Sequence, residues 1–433
     1  METRKKFLNA KTLFASLFSF CIVFCGQDTL IFGTLSNSLV KYSRLVIYAL
    51  ILLVLLIYLL FLERGKKLSS QPKKRNFFIF IGLFMTAIVL PLVIFLDFGE
   101  YTHMYLQIVL LSALFIVASR AFKFRDIAKY ISYIVVVVSL VSNLFFLIAY
   151  VFGANIFAFL PTIANEAGYE FYFAGLVNIP LRGIRNYGIF REPGVYSIYL
   201  CLALIFLIFN VKSETKVRLA IHAVSLISLV LSLLSSRSTT GYFCLVLILI
   251  ASLGKHFTTK TIKWIWMGSL ILIGSVILLI GALNFNEIFG KLFVANESLS
   301  SRALAPFYNL ILFFRSPIIG NGANKYIHLF SSMCYIGTSI SNTDTFVALF
   351  ASYGVFVGLA FLCGFRQGCY DLVDKASLES KFPVYLVLFS LFLLCESENF
   401  AFSTLFHFLT MFPLYGFVSK VRKKIIIPTR ITI

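Results

Sequence analysis

Long apolar runs recur along the chain and are separated by short polar segments. About twelve of them approach the roughly 20 residues that a helix needs to cross a hydrocarbon core about 30 Å thick. The runs are apolar throughout, whereas the strands of a membrane β-barrel alternate. They predict spans at 13–33, 44–62, 77–96, 102–119, 130–152, 193–210, 219–235, 241–254, 264–283, 343–365, 382–395 and 400–418.

Charged residues lie mostly between these runs. They make up only 13% of the 433 residues, against about 25% in soluble domains. If the N-terminus is cytoplasmic and the spans alternate, most of the 38 Lys and Arg residues fall in cytoplasmic segments. We therefore predict one integral membrane domain, 1–433, with both termini cytoplasmic. The net charge of +20 is divided among short clusters, which argues against a nucleic-acid partner.

Two connections on the outside are much longer than the others, 153–192 and 284–342. Loops of this length are usually functional. In the second loop, 302–314 has apolar residues at helical spacing and predicts a helix lying along the membrane surface. The glycines and proline of 316–322 predict a tight turn after it. The fold class is therefore all-α, with about twelve transmembrane helices and two long outside loops with interfacial helices.

An arginine cluster closes the first long loop. Arg182, Arg185, Arg191 and Glu192 directly precede Pro193 and the sixth span. The planar guanidinium group matches phosphate oxygens, and a helix that begins at a proline presents backbone N–H groups to an anion. Anchoring to lipid head groups is the alternative. Because outside segments normally contain few Lys and Arg, the cluster favours a functional role.

Two further outside arginines are candidates for the same function. Arg237 lies in the turn SSRSTTG between spans seven and eight, where a single arginine also suits simple snorkelling. Arg302 begins the predicted interfacial helix. Arg315 ends that helix, and the attraction of a cation to the negative end of the helix dipole accounts for an arginine there without a binding function.

Four acids lie near the outside face and each is a candidate general base: Glu192, Asp344, Glu396 and Glu398. Asp344 also suits a helix N-cap, and Glu192 also suits pairing with an arginine. The sequence does not choose among the four.

Other chemistry receives less support. His407 lies inside span twelve, and His222, His256 and His328 lie near span ends or in loops. No zinc-binding, P-loop or EF-hand motif occurs, so we expect no metal and no cofactor. The middles of the spans hold almost no charged residues and the two halves show no repeat, which argues against an ion-coupled transporter.

Several short motifs occur in order on the outside face. They are RxxGxFxEP at the head of span six, SR-STTG after span seven, then SR, PIIGNG and a polar Asn-x-Asp helix start that leads to YG. This order resembles the O-antigen polymerase and O-antigen ligase superfamily, membrane glycosyltransferases of the GT-C type. The motifs cover roughly 180–360, and the topology resembles the family over the whole chain.

The resemblance implies a multi-pass enzyme of the bacterial inner (plasma) membrane, with its active site on the outer face. It implies a repeat-unit polymerase that moves a glycan from a polyprenyl-pyrophosphate carrier to a lipid-linked acceptor, with membrane lipids, a flippase and a chain-length regulator as partners. Arg182, Arg185, Arg191, Arg237 and Arg302 are then expected to bind the pyrophosphate, and Glu192 or Asp344 to deprotonate the acceptor.

One departure separates the polymerase from the ligase reading. Ligases of this superfamily tend to carry a histidine beside an Asn just before the span that follows the second long loop. Here that position reads Ser341-Asn342-Thr343-Asp344, without histidine. We therefore favour a polymerase, with a ligase as the first alternative and a polysaccharide flippase or transporter as the second.

Overall fold

The described part of the chain forms a mostly helical bundle with one small antiparallel sheet. The computed structural model describes residues 2–33, 38–63, 72–165, 168–181, 183, 185–211, 215–254, 297–334, 342–373, 378 and 380–426. The helices in these ranges are α1 Glu2–Phe24, α2 Leu30–Gly33, α3 Ser38–Glu63, α4 Pro72–Ile94, α5 Thr102–Ala121, α6 Phe124–Phe152, α7 Pro193–Asn210, α8 Lys216–Ser236, α9 Thr239–Leu253, α10 Glu297–Arg315, α11 Ala323–Cys334, α12 Phe346–Leu372, α13 Phe382–Ser397 and α14 Thr404–Ile426. The strands are β1 Thr162–Ala164, β2 Glu170–Phe173 and β3 Asn178–Pro180.

Six helices within the described ranges are long and apolar enough to cross a membrane: α3, α5, α6, α7, α8 and α12. Shorter apolar helices lie at the other predicted spans, in α1, α4, α9, α13 and α14. The predicted span 264–283 lies outside the described residues. The first predicted span, 13–33, is too long, because α1 ends at Phe24 and the chain turns through 25–29 before the short helix α2.

Close backbone contact between helices depends on glycine at the interface of α12 with α14. A Cβ atom at Gly364 would overlap the carbonyl oxygen of Thr410, and one at Gly368 would overlap that of Leu409. These glycines lie four residues apart and therefore on the same face of α12. The spacing is that of the small-residue motif that lets membrane helices approach closely.

Polar contacts define two ends of the bundle. At one end, Arg125 Nε donates to the carbonyl oxygen of Asp371 (3.3 Å), and Asn210 Nδ2 donates to that of Leu372 (2.6 Å). At the other end lie the turn after α1, the sheet, the start of α7 and the connection between α13 and α14. We call this second end the sheet end.

The first long loop contains one short 3-10 helix, Ala154–Phe157, followed by a sheet, so the expectation of interfacial helices in 153–192 is wrong for most of the loop. Strands β1, β2 and β3 are adjacent and antiparallel. Aromatic and β-branched residues favour this conformation, and Tyr172, Val177 and Ile179 are buried against α6. Gly168 and Gly175 have φ of +78° and +77° in the connections between the strands, a conformation that favours glycine.

The second long loop contains the predicted helix and one more. Helix α10 covers 302–314 and starts before it, while α11 follows the turn and was not predicted. The predicted tight turn is present, with Gly320 and Gly322 at φ of +86° and +83°. It docks where α12 is broken at Gly354, because Val355 N donates to the carbonyl oxygen of Pro317 at 2.8 Å.

Candidate functional site

Arg191 is held at the sheet end by backbone pairing with the turn after α1. Its N–H donates to the carbonyl oxygen of Asp28 at 3.0 Å, and Leu30 N donates to that of Ile189 at 3.0 Å. The side chain of Arg191 lies close to Gly33. Its Nε atom is buried and has no hydrogen-bond partner among the described residues. The start of α7 and the turn after α1 thus form one unit around this arginine.

Asp28 is a buried acid that the sequence analysis did not single out. Its Oδ2 atom accepts hydrogen bonds from Tyr199 Oη (2.6 Å) and from Ser403 Oγ. Burial raises the pKa of Asp28, whereas these hydrogen bonds and the charges of Arg191 and Arg44 lower it. Two cations therefore lie near enough to this acid for their charges to act on it. The signal in the sequence was an acid inside an apparently continuous apolar run, where ionisable residues are costly.

The first two arginine motifs lie together in the structure. Asn186, which follows Arg185, is 3% exposed and its N–H donates to the carbonyl oxygen of Ser235 at 3.0 Å. Its side-chain Nδ2 donates to Ser235 Oγ at 3.1 Å. Ser235 lies two residues before Arg237, whose φ of +51° ends α8 in the left-handed conformation. Arg237 is exposed and lies two residues after this contact.

Arg185 and Glu192 both lie near Tyr187. Burial raises the pKa of the Tyr187 hydroxyl, the Arg185 charge lowers it, and Tyr169 and Glu192 raise it. Glu192 is half-buried and stands at the N-cap position of α7 without a side-chain capping bond. Its carboxylate is therefore not committed to capping the helix. Arg185 is half-buried and lines a pocket next to α6.

Asp344 lies in a buried polar network at the start of α12. It is fully buried, its Oδ1 accepts from Val347 N (3.1 Å), and its Oδ2 accepts from Asn309 Nδ2 (3.0 Å). The capping function that the sequence left open is thus present. Glu396 reaches the same helix start, because its Oε1 accepts from Phe346 N at 3.1 Å.

Glu398 connects this network to the arginine cluster. Thr345 Oγ1 donates to the carbonyl oxygen of Glu398 at 2.8 Å. The Glu398 carboxylate lies at the N-terminal turn of α7, so close that a Cβ atom at Gly194 would overlap it. A carboxylate at this place is stabilised by the helix dipole. All four candidate acids therefore lie at the sheet end. Asp344 and Glu398 are buried, whereas Glu192 and Glu396 are half-buried.

Several predicted residues are not brought into this site. Arg182 lies outside the described residues, and only the backbone of Arg302 is described, in α10. His407 is buried between the rings of Phe361 and Phe406, and His328 is exposed on α11. His256 lies outside the described residues. Within the described parts of the chain, no three His, Cys, Asp or Glu side chains are placed to hold a metal ion.

The arrangement can bind an anion next to an acid that accepts protons. Arg185, Arg191 and Arg237 supply guanidinium groups, and Glu192 supplies a carboxylate that is partly accessible. Comparisons of the chain with protein-family models, with curated proteins and with solved structures find no match.

Proposed function

We propose that the chain is a membrane glycosyltransferase that polymerises oligosaccharide repeat units of a bacterial surface polysaccharide. The observation that carries the proposal is the meeting of RNYGIFREP and SSRSTTG at one end of an apolar helical bundle, through the Asn186–Ser235 hydrogen bonds. The donor is a glycan on a polyprenyl pyrophosphate, and the acceptor is a second lipid-linked unit.

The arginines act on the leaving group. Arg185, Arg191 and Arg237 bind the pyrophosphate through charge-assisted hydrogen bonds and offset the charge that develops as it departs. Arg182 and Arg302 are proposed for the same function. A guanidinium group keeps its charge near lipid, so the site can stabilise a diphosphate with its own side chains.

Glu192 is the proposed general base, because it is accessible and next to Arg191. It accepts the proton of an acceptor hydroxyl as that oxygen forms a bond to the anomeric carbon of the donor. The bond between this carbon and the pyrophosphate oxygen breaks, and its electron pair leaves with the lipid pyrophosphate. The burial of Asp344 makes it the weaker candidate for this step, and its hydrogen bonds assign it to holding α12 against α10.

The proposal includes a membrane topology of about twelve spans in the bacterial inner (plasma) membrane, with cytoplasmic termini and the sheet end outside. The lysines and arginines at the opposite end support this orientation, for example Lys123, Arg125 and Lys129 at the start of α6. A flippase that delivers lipid-linked units and a chain-length regulator are the proposed partners.

The test is gel analysis of lipid-linked glycans from cells with and without the gene. A polymerase predicts single repeat units in place of a ladder when the gene is lost. A ladder that persists on its carrier lipid would indicate a ligase instead. Loss of repeat units from the outer face would indicate a transporter, and either of the last two results would overturn the proposal.

Arginine-to-lysine substitutions test the site itself. Lysine keeps the charge but loses the planar fork that binds phosphate in a bidentate manner. A roughly tenfold or larger drop in the polymerisation rate is expected for each of Arg185→Lys, Arg191→Lys and Arg237→Lys. This is about the effect of losing one hydrogen bond to a charged group. Arg315→Lys, at the exposed end of α10, is the matched control and should leave the rate unchanged. Wild-type polymerisation rates in all three variants would exclude this site.

A further inference from the structure

A pocket of about 220 Å³ lies between α6 and the segment that carries Arg185. One wall is a single face of α6, formed by Ser142, Phe146, Ala149 and Tyr150, with Gly153 directly after the helix. The four helical residues recur at helical spacing and extend over roughly 12 Å of the helix. The opposite wall is built by β3 and the residues that follow it.

The pocket combines one charge with a mostly apolar lining. Arg185 is the one charged residue among the described residues that line it. No described residue accepts a hydrogen bond from its guanidinium group. The polar side chains of Ser142 and Asn186 already bond to each other at 3.3 Å, and Asn186 bonds to Ser235 as well. An amphiphile with one anionic group fits this lining better than a sugar, which needs many hydrogen-bond partners.

The pocket is open towards the face of α6 that suits contact with lipid. Tyr150 lines the pocket and is 61% exposed, and its neighbours Leu147 and Val151 are 57% and 60% exposed. The lysine at 129 marks one membrane boundary, and a core about 30 Å thick ends about 20 residues further along the helix, near Ala149. The pocket therefore lies where the head groups and first tail carbons of one leaflet lie.

From this geometry we infer that the pocket binds the phosphate end of a polyisoprenyl lipid, with Arg185 on the phosphate and the tail leaving along the Phe146–Tyr150 face of α6. The choice of lipid rests on the proposed function, and the path of the tail is new. The pocket is smaller than the roughly 300–1,000 Å³ of a site for a drug-sized ligand. It therefore holds the phosphate and the start of the tail, and it leaves the glycan outside.

The test measures binding of a radiolabelled polyisoprenyl phosphate of eleven isoprene units to the full chain in phosphatidylcholine nanodiscs. Ala149→Trp fills the pocket and is expected to weaken binding at least tenfold, with Ala149→Val intermediate. Arg185→Gln removes the charge and should weaken binding to a similar extent. Leu147→Trp adds the same bulk on the exposed surface of the same helix and should bind like the wild type.

Size-exclusion profiles and unfolding midpoints identify any variant that fails to fold. If Ala149→Trp fails to fold, the binding affinity of the smaller Ala149→Val variant tests the pocket instead. Wild-type affinity in the Ala149 variants would overturn the inference, as would an equal loss in Leu147→Trp. Competition by inorganic phosphate as strong as that by the lipid would show a site for the anion alone and would also overturn it. If the gene supports polymer formation but the Ala149 variants bind the lipid like the wild type, only this pocket is refuted. If the wild type binds the lipid at this pocket but loss of the gene leaves polymer formation unchanged, only the proposed function is refuted.

Discussion

Asp28 is a single residue that unites four parts of the chain. Its backbone pairs with Arg191, its carboxylate accepts from Tyr199 on α7 and from Ser403 before α14, and its charge lies near Arg44 on α3. A buried carboxylate loses its hydration and needs such partners. We expect Asp28 to determine the position of Arg191 and thereby the geometry of the anion site.

Asp28→Asn tests this through the pH dependence of stability. Burial raises the pKa of Asp28 in the folded protein above the value of about 3.9 of an unfolded chain. The stability linked to this carboxyl group is therefore complete below that value and is lost as the pH rises through the folded pKa. Asparagine cannot ionise but still accepts the two hydrogen bonds. As the pH rises above about 3.9, the unfolding midpoint of the wild type should therefore fall relative to that of Asp28→Asn.

Asp126→Asn is the matched control, because Asp126 is exposed at the opposite end of the bundle. Its unfolding midpoint should follow that of the wild type at every pH. Parallel curves for Asp28→Asn and the wild type would mean that Asp28 does not titrate differently in the folded protein.

Among the helices, the contact of α12 with α14 depends on Gly364. A Cβ atom there overlaps backbone, which cannot move as a flexible side chain can. Overpacking of this kind costs about 1–3 kcal/mol, so Gly364→Ala should lower the unfolding midpoint of the detergent-solubilised protein. Gly82→Ala on α4, where nothing lies within 4 Å, should raise it slightly through helix propensity. The same midpoint in both variants would contradict the close approach.

Helix α11 is attached to the bundle through Asp97. The carboxylate accepts from Asn324 N (2.9 Å), Lys325 N (2.9 Å) and Tyr105 Oη (2.7 Å), and thus caps α11 from the α4–α5 connection. Loss of these acceptors leaves buried donors unsatisfied, at about 1–3 kcal/mol. Asp97→Ala should therefore increase hydrogen exchange in 323–334.

The exposed Glu100, in the same connection, provides the control for that measurement. Glu100→Ala should leave exchange in α11 at the wild-type rate. If Asp97→Ala also leaves it unchanged, the helix is held by its apolar contacts alone.

The sequence predicted helices well and short elements poorly. Apolar runs located all the described membrane helices, because a helix in lipid must be apolar over most of its length. Strands of three or four residues, such as β2, are too short for alternation to be read. Asp28 was missed because it lies in a run that reads as one span, and Asp97 because the sequence does not show that α11 would lie beside it.

For the whole molecule, the candidate site was predicted from the way the charged residues are distributed between the two faces of the membrane. The arginine motifs lie far apart in the chain, yet alternation of the spans places them on one face, where Asn186 and Ser235 meet. The pairing itself could not be predicted, because it depends on the depth to which the loop before α7 descends between α6 and α8.

Labelling of single cysteines tests the orientation of the whole bundle. Phe159 and Phe98 are 80% and 66% exposed at the sheet end, and Lys123 is exposed at the opposite end. In a background that lacks the eight native cysteines, a membrane-impermeant maleimide added to intact cells or spheroplasts should label F159C and F98C. K123C should react only after the membrane is permeabilised, because lysine-rich segments stay in the cytoplasm. The reverse pattern would place the arginine site inside the cell, where a polymerase that uses exported repeat units could not act.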